Sequence, residues 1–259
     1  GRSKRTPRTA SARPLAAPRR RRREGDRVVT PGTADPLDFD IDEVLAEAAR
    51  RPLPPPEALE LPPGFAIGVY ASLGLPVAMM AVAANGDVFA TVPAEDKVIV
   101  LPDRDQNGQV DPLPTGQAGP ALVFAQGRGL SRPWGLVFGP DALYVAATDA
   151  VWAFDYHPGQ VLADGVPRRL VDLPGGGPNW ERGLALGPDG RLYITVGAPC
   201  ASCRPEDART AGVLSLDLVA GQTTLFASGL RRSLDLAFHP RSRELFVGDQ
   251  GREGLGDDL

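Results

Sequence analysis

The chain has 259 residues, of which 42% are hydrophobic and 23% are charged, and this globular composition excludes disorder throughout. Its 30 glycines and 27 prolines are too many for a helical bundle and suit a fold with many turns between short strands. No run of 18 apolar residues occurs, so the sequence predicts no transmembrane helix and a soluble or peripheral protein.

The net charge of -4 conceals a large asymmetry along the chain. The first 27 residues contain 11 Lys or Arg and two acidic residues, whereas the remainder contains 17 basic and 30 acidic residues. Binding to nucleic acid depends on neutralising phosphates, so we expect the acidic body to bind none. The basic N-terminal stretch alone has suitable charge.

Residues 1–36 are rich in Arg, Ser, Thr, Ala and Pro and contain no apolar segment of a secretory signal. We expect a disordered basic tail, which is a transit-like leader, an anion-binding patch or a stretch outside any folded unit. Residues 37–60 predict one short helix, over residues 38–51, and a proline-rich linker. That helix is acidic at its start and basic at its end, as the helix dipole prefers.

From residue 61 to residue 259 one pattern recurs, in which an alternating apolar strand, a turn and a second alternating strand follow one another. Its four copies span residues 78–92, 133–147, 183–197 and 233–248. The equivalent turn positions are spaced by 56, 48 and 52 residues, which is the length of one β-propeller blade. The predicted fold class is therefore all-β, a propeller of about four blades, and an ordinary sandwich is the alternative.

Residues 103–111 match the front of a calcium-binding loop. Oxygen ligands can come from Asp103, Asp105, Asn107, Gln109 and Asp111, and a glycine at position 108 allows the bend. Position 12 is a proline and not the bidentate Glu of an EF-hand. The loop predicts a structural calcium site, and a polar hairpin turn is the alternative.

Cys200 and Cys203 are the two cysteines of the chain. Their spacing predicts a local disulfide in an oxidising compartment, with reduced structural thiols as the alternative. The three tryptophans lie on or beside predicted strands and are expected to pack between blades rather than stack on a substrate. The two histidines are expected to be ordinary turn residues.

The segments NWERGLALGPDGRLYITVG and FASGLRRSLDLAFHPRSRELFVGDQGREGLGDDL resemble the glucose/sorbosone dehydrogenase family. The upstream segments LPPGFAIGVYA and VIVLPDRDQNGQVD look like that family too, so the resemblance covers roughly residues 61–259. It implies a six-bladed propeller that uses pyrroloquinoline quinone and calcium to oxidise a sugar. Four recognisable blades then predict a propeller truncated at its C-terminus.

The resemblance also implies roles for single residues. Asn179 stands where the family has its proton-accepting His, and Arg231 and Arg232 stand where an Arg-Asn pair faces the quinone. Gln250, Gly251 and Arg252 belong to the cofactor loop, in which the backbone of Gly251 and Arg252 holds the catalytic calcium. An amide cannot accept a proton near neutral pH as an imidazole can, so Asn179 predicts weakened or lost catalysis.

Three functions are open, and the resemblance implies the first of them. The leading one is a quinone-dependent sugar dehydrogenase homologue that acts on a small-molecule sugar, with Arg231 stabilising negative charge. The alternative is a non-catalytic propeller that binds a carbohydrate or protein partner, and the third is a lactonase-like metal hydrolase. By the resemblance the compartment is periplasmic or extracellular, and neither the sugar nor the oligomeric state follows from the sequence.

Overall fold

The computed structural model describes residues 59–112, 121–175, 177–200 and 205–250. All of these residues fall within one compact unit. The basic tail, the predicted helix and most of the linker lie outside the described residues and stay predictions. No helix within the described ranges has the length and apolar character needed to cross a membrane.

The described strands form four antiparallel sheets in which chain neighbours are also hydrogen-bonded neighbours. Blade 1 comprises β1 (Met80–Val82), β2 (Val88–Val92), β3 (Lys97–Leu101) and β4 (Leu122–Gln126). Blade 2 comprises β5 (Leu136–Phe138), β6 (Ala142–Ala146), β7 (Ala150–Asp155) and β8 (Arg168–Asp172). Blade 3 comprises β9 (Leu184–Leu186), β10 (Leu192–Val196), β11 (Gly212–Leu216) and β12 (Thr223–Ser228). Blade 4 is described for β13 (Ser233–Phe238) and β14 (Leu245–Asp249).

The four predicted hairpins are the first two strands of the four blades. In blade 3 the turn closes where the Gly187 amide donates to the Arg191 carbonyl (2.8 Å), and Gly190 takes the positive φ of 78° that favours glycine. Leu192 and Ile194 then lie opposite Leu186 and Leu184 on β9. Local turn chemistry and alternation therefore specify each hairpin.

The blades stack side by side through continuous apolar layers. The first strands β1, β5, β9 and β13 are successive neighbours in space, as expected for blades arranged around an axis. One core cluster joins blades 1 and 2, a second joins blades 2 and 3, and a third joins blades 3 and 4. The prediction of an all-β propeller is confirmed, with three four-stranded blades and two strands of a fourth in the described residues.

A short 3-10 helix, Pro93–Glu95, links β2 to β3. It lies at the end of blade 1 at which the first strand, β1, begins. We call this end the entrance end. Here the blades also touch through the backbone, because the Gly135 amide donates to the Arg182 carbonyl (3.0 Å). A Cβ atom on Gly135 would lie 2.5 Å from that carbonyl oxygen, so a side chain at this position would separate blades 2 and 3.

Candidate functional site

The entrance end of blades 3 and 4 brings together four residues that the sequence singled out. The Ala198 amide, at the end of β10, donates to the Arg231 carbonyl (2.7 Å), and the Gln250 amide donates to the Arg232 carbonyl (2.9 Å). Asn179 lies against Gly197, where a Cβ atom would be 2.5 Å from the Asn179 Cβ. Residues distant in sequence therefore meet where two first strands begin.

Asn179 is buried, and its side-chain amide donates a hydrogen bond to the Ala198 carbonyl (2.8 Å). Its own carbonyl accepts a hydrogen bond from Arg182 (2.8 Å). The resemblance assigns a proton acceptor to this position, but here the side chain is an amide that binds the backbone. An amide nitrogen that donates to a carbonyl has no lone pair to accept a proton.

Sequence reasoning missed Glu181, which forms a buried ion pair with Arg232. Glu181 is 2% exposed and Arg232 is 8% exposed. Arg232 also donates to the Gln250 side chain (3.4 Å). This pair joins the entrance of blade 3 to that of blade 4, and the second carboxylate oxygen of Glu181, Oε2, is buried without a hydrogen bond from the described residues.

Arg182 is the largest fully buried side chain of the described residues. Its guanidinium donates to the carbonyls of Asn179 (2.8 Å), Glu181 (2.9 Å) and Pro174 (2.8 Å). Burial lowers the pKa of Arg182 to about 10, and the neighbouring Glu181 carboxylate opposes this shift. Arg182 therefore remains charged at neutral pH.

Among the described residues, the buried charged groups at this end are the guanidiniums of Arg182 and Arg232 and the carboxylate of Glu181. The half-buried Arg231 lies at the same entrance, where its backbone amide donates to the Asp249 carboxylate (3.1 Å). The described hydrogen bonds of the Arg182 guanidinium go to neutral carbonyls. Such a buried guanidinium favours an anionic ligand, because carboxylates form short charge-assisted hydrogen bonds with guanidinium groups.

A buried threonine on the second strand connects neighbouring blades. Thr195 Oγ1 accepts from the Gly183 amide (2.7 Å) and donates to the Ser233 carbonyl (2.8 Å), so it joins the starts of β9 and β13. Thr91 takes the equivalent place on β2 and donates to the Trp134 carbonyl (2.8 Å). The sequence signal that could have indicated this contact is a Thr between two apolar residues on the second strand, at residues 90–92 and 194–196.

Two tryptophans pack edge to face between blades 2 and 3 at the entrance end. The Trp134 and Trp180 rings are 5.4 Å apart, and the Trp134 indole donates to the Leu234 carbonyl of blade 4 (3.1 Å). The Arg132 guanidinium lies 3.5 Å from the centre of the Trp180 ring. Packing between blades, as predicted for the tryptophans, is thus confirmed for these two.

The predicted calcium loop follows β3 and lies at the end of blade 1 that is opposite to the entrance end. The carboxylate of Asp103 accepts from the amides of Asn107 (3.0 Å) and Gly108 (3.1 Å), while Asp111 accepts from the Arg104 amide (3.0 Å). The structure thus shows a turn closed by its own side chains. Among the described residues, no three His, Cys, Asp or Glu side chains are placed to hold a metal ion.

Three further predicted site residues, Gly251, Arg252 and Cys203, lie outside the described residues. Cys200 is disulfide-bonded. Its pairing with Cys203 and the cofactor roles of Gly251 and Arg252 stay predictions. Both histidines lie in turns, as expected: the His157 amide donates to Gln160 (3.2 Å), and the His239 ring accepts from the Ser242 amide (2.9 Å).

Comparison with solved structures identifies the architecture. The chain is similar to the pyrroloquinoline-quinone domain of pyranose dehydrogenase from Coprinopsis cinerea, with a TM-score of 0.58 and 15% identity, covering 70% of this chain and 45% of that one. A carbohydrate-active enzyme of family AA12 from Trichoderma reesei gives a TM-score of 0.55 and 17% identity, covering 71% and 46%. The fold is that of a β-propeller. A putative glucose dehydrogenase from Thermus thermophilus shares it at a TM-score of 0.50 and 19% identity, covering 69% and 58%.

No protein-family model matches the chain. An uncharacterised protein of Borreliella burgdorferi is 21% identical over 148 residues, which are 53% of this chain and 39% of that protein. The chain thus spans about half the length, or less, of the first relatives that it matches. At these identities the property shared with the solved structures is the propeller fold.

We call the group of Asn179, Glu181, Arg182, Arg231 and Arg232 at the entrance end the entrance cluster. This cluster fits one part of a pyrroloquinoline quinone site and not another. Its arginines suit the carboxylates of such a cofactor, because a guanidinium binds a carboxylate through two parallel hydrogen bonds. Asn179 does not fit the role of proton acceptor, since its side-chain amide is buried and donates to a backbone carbonyl. The side chains of this cluster therefore suit the binding of a cofactor carboxylate better than they suit removal of a proton from a sugar.

Proposed function

We propose that this chain forms part of a sugar oxidoreductase of the quinone-dependent type, in which the entrance cluster binds the anionic cofactor. The observation that carries the proposal is the burial of Arg182, whose described hydrogen bonds go to three neutral carbonyls, beside the ion pair of Arg232 and Glu181. Burying a charge is costly, so a bound carboxylate would compensate the Arg182 guanidinium. The propeller fold supports the proposal because it matches the fold of known sugar dehydrogenases.

In this proposal each residue of the chain has a limited task. The bound quinone would accept the hydride of the sugar. Arg231 would hold a cofactor oxygen or carboxylate, and Arg182 would fix the backbone around Asn179. With Asn179 at the base position, proton removal lacks its usual acceptor, which lowers the rate of such reactions by about 10² to 10⁴.

A second candidate is a non-catalytic propeller that binds a carbohydrate or protein partner. The specific observation in its favour is that the side chains at the entrance end bind other groups of the protein. Asn179 binds the Ala198 carbonyl, Arg232 binds Glu181, and Arg182 binds three backbone carbonyls. Under this hypothesis the arginines brace the blades and bind no cofactor.

Binding and turnover measured together separate the two candidates. The parent chain, Asn179→His and Arg231→Ala are titrated with pyrroloquinoline quinone in the presence of calcium, and binding is followed by tryptophan fluorescence. Reduction of a dye is then followed with a panel of sugars. We expect the parent to bind the quinone, Arg231→Ala to bind it more weakly, and Asn179→His to exceed the parent in turnover.

Each result has one interpretation. Quinone binding without turnover in the parent, but with turnover in Asn179→His, indicates an oxidoreductase that has lost its proton acceptor. Absence of quinone binding in the parent and in Asn179→His refutes the oxidoreductase proposal and leaves the binding module. A control variant, Arg168→Ala on the exposed surface of blade 2, should leave binding unchanged.

The calcium and compartment predictions also become proposals. We propose that the Asp103 loop binds calcium when its amide contacts rearrange, and calorimetry tests this with the parent and Asp105→Ala. Equal heats in the two proteins would exclude the loop. The disulfide-bonded state of Cys200 supports an oxidising compartment, as expected for a periplasmic or extracellular protein.

A further inference from the structure

Trp134 lies where the four described blades meet at the entrance end. Its carbonyl accepts from Thr91 Oγ1 of blade 1 (2.8 Å), and its indole donates to the Leu234 carbonyl of blade 4 (3.1 Å). Its ring meets that of Trp180, which precedes blade 3, at 5.4 Å. Blades 2 and 4 are not neighbours, so one side chain can join them only near the axis around which the first strands are arranged. The tryptophan pair therefore lies at the propeller axis.

Arg132 covers this pair from the segment that links blade 1 to blade 2. Its guanidinium carbon lies 3.5 Å from the centre of the Trp180 ring, which places the guanidinium on the face of that ring. Trp180 is 5% exposed, whereas Arg132 is only partly buried. Because Trp180 stands between Asn179 and Glu181 in the chain, this cation lies beside the entrance cluster.

The backbone of Arg132 is held in an unfavourable conformation. Its φ of 47° lies in the left-handed region, which residues with a Cβ atom rarely adopt. The Arg132 amide donates to the Asp96 carboxylate (2.7 Å), and the carbonyl of the preceding Ser131 accepts from the Thr148 amide (2.9 Å). Such a conformation persists where the surrounding structure imposes it, and it is common at functional positions.

The stack on Trp180 prepares the Arg132 guanidinium for a planar anion. Stacking uses the face of a guanidinium, whereas its N–H groups project from the edge in the same plane. Those N–H groups match the two oxygens of a carboxylate, which they bind through two parallel hydrogen bonds. Because the side chain is already ordered on the ring, binding costs less conformational entropy than it would for a mobile arginine.

We propose that Arg132 is a specificity-determining residue that binds the carboxylate of an acidic sugar, a hexuronic acid; this rests on the proposed function, whose substrate it names. A hexuronic acid carries its carboxylate and its oxidisable hemiacetal hydroxyl on different carbons. The carboxylate can therefore bind Arg132 while the hydroxyl faces the entrance cluster. A neutral hexose lacks the carboxylate and forgoes both charge-assisted hydrogen bonds.

Binding of two sugars that differ at one carbon tests the proposal. Glucuronate and glucose are titrated separately into the 259-residue chain without quinone, and binding is followed by calorimetry and tryptophan fluorescence. We expect glucuronate to bind about tenfold more tightly than glucose, or better, because a charged bidentate pair contributes more than a neutral hydrogen bond. The fluorescence should change on binding, since the site adjoins Trp180.

Three variants locate the carboxylate site. Arg132→Gln should weaken glucuronate binding by about tenfold or more and change glucose binding by less than about twofold. Arg132→Lys keeps the charge without the planar fork, so its affinity should fall between those of the parent and Arg132→Gln. The matched control is Arg128→Gln in the same segment. Arg128 has a φ of 53° and donates to the Gly165 carbonyl (2.8 Å), so its replacement should leave both sugars bound as in the parent.

The outcomes separate this inference from the proposed function. Equal affinity of the parent for glucuronate and glucose overturns it, as does an equal loss of both sugars in Arg132→Gln. Weakened quinone binding in Arg132→Gln, with unchanged binding of glucuronate, assigns Arg132 to the cofactor and also overturns it. A parent that binds glucuronate through Arg132 but binds no quinone refutes the oxidoreductase alone and leaves a propeller that binds acidic sugars.

Discussion

Breaking the ion pair between Glu181 and Arg232 should strongly destabilise the entrance end. Both side chains are almost completely buried, and they belong to different blades. Replacing Glu181 with Leu removes the carboxylate that pairs with the buried Arg232 guanidinium. Removal of one partner of a buried pair costs about 3–5 kcal/mol, which is a large share of the roughly 5–15 kcal/mol that stabilises a folded domain.

An ion pair on the protein surface provides the comparison. Arg168 and Asp155 form an ion pair whose side chains are 60% and 80% exposed, so Asp155→Leu should lower the free energy of unfolding by less than about 1 kcal/mol. The double variant Glu181→Leu with Arg232→Met removes both buried charges. It should recover most of the loss, because a buried pair is often replaceable by apolar side chains.

Urea unfolding, followed by tryptophan fluorescence, measures these differences. Trp134 and Trp180 lie at the same entrance end, so their emission reports the affected region. Equal m-values are needed before the free energies are compared. The reasoning is refuted if Glu181→Leu and Asp155→Leu lower stability equally, or if the double variant is less stable than Glu181→Leu alone.

Three other predictions concern contacts between and within blades. Thr195→Val should lower the free energy of unfolding by about 2 kcal/mol or more, because both backbone partners of its hydroxyl lose their hydrogen bond in the interior, while Thr195→Ser should retain most of the stability. Gly135→Ala should be strongly destabilising in thermal melts, since its Cβ would meet backbone atoms of blade 3, whereas Gly68→Ala, which has open space and no positive φ, should not. Hydrogen bonds from Arg209 hold the pKa of Asp207 below its usual value, so its contribution is present above about pH 4 and is lost as pH falls through its folded-state pKa. Because Asp207 is partly exposed, Asp207→Asn should cost less than about 1 kcal/mol at pH 7, and its unfolding free energy should converge with that of the parent in acid.

The sequence predicted that four candidate residues lie near one another, but it did not predict the contacts that they make. The resemblance placed Asn179, Arg231, Arg232 and Gln250 at one site, and the structure brings them together. It did not indicate Glu181, because an acidic residue between Trp180 and Arg182 gives no sign of a partner 51 positions away. The cofactor roles of these residues stay predictions.

The sequence by itself determined the hairpins of this protein. Alternating apolar residues and turns such as Gly187–Gly190 act over a few positions, so strand position and burial follow from local chemistry. Only the tertiary structure decided which charged side chains pair. The sequence does not distinguish one arginine from another as the partner of a given carboxylate, because the pairing depends on how the blades stack. The same stacking decided that Phe124, which the register shift between β3 and β4 leaves between two paired residues, is fully buried. The ring that covers it, that of Phe154, belongs to the next blade, and sequence periodicity carries no information about that neighbour.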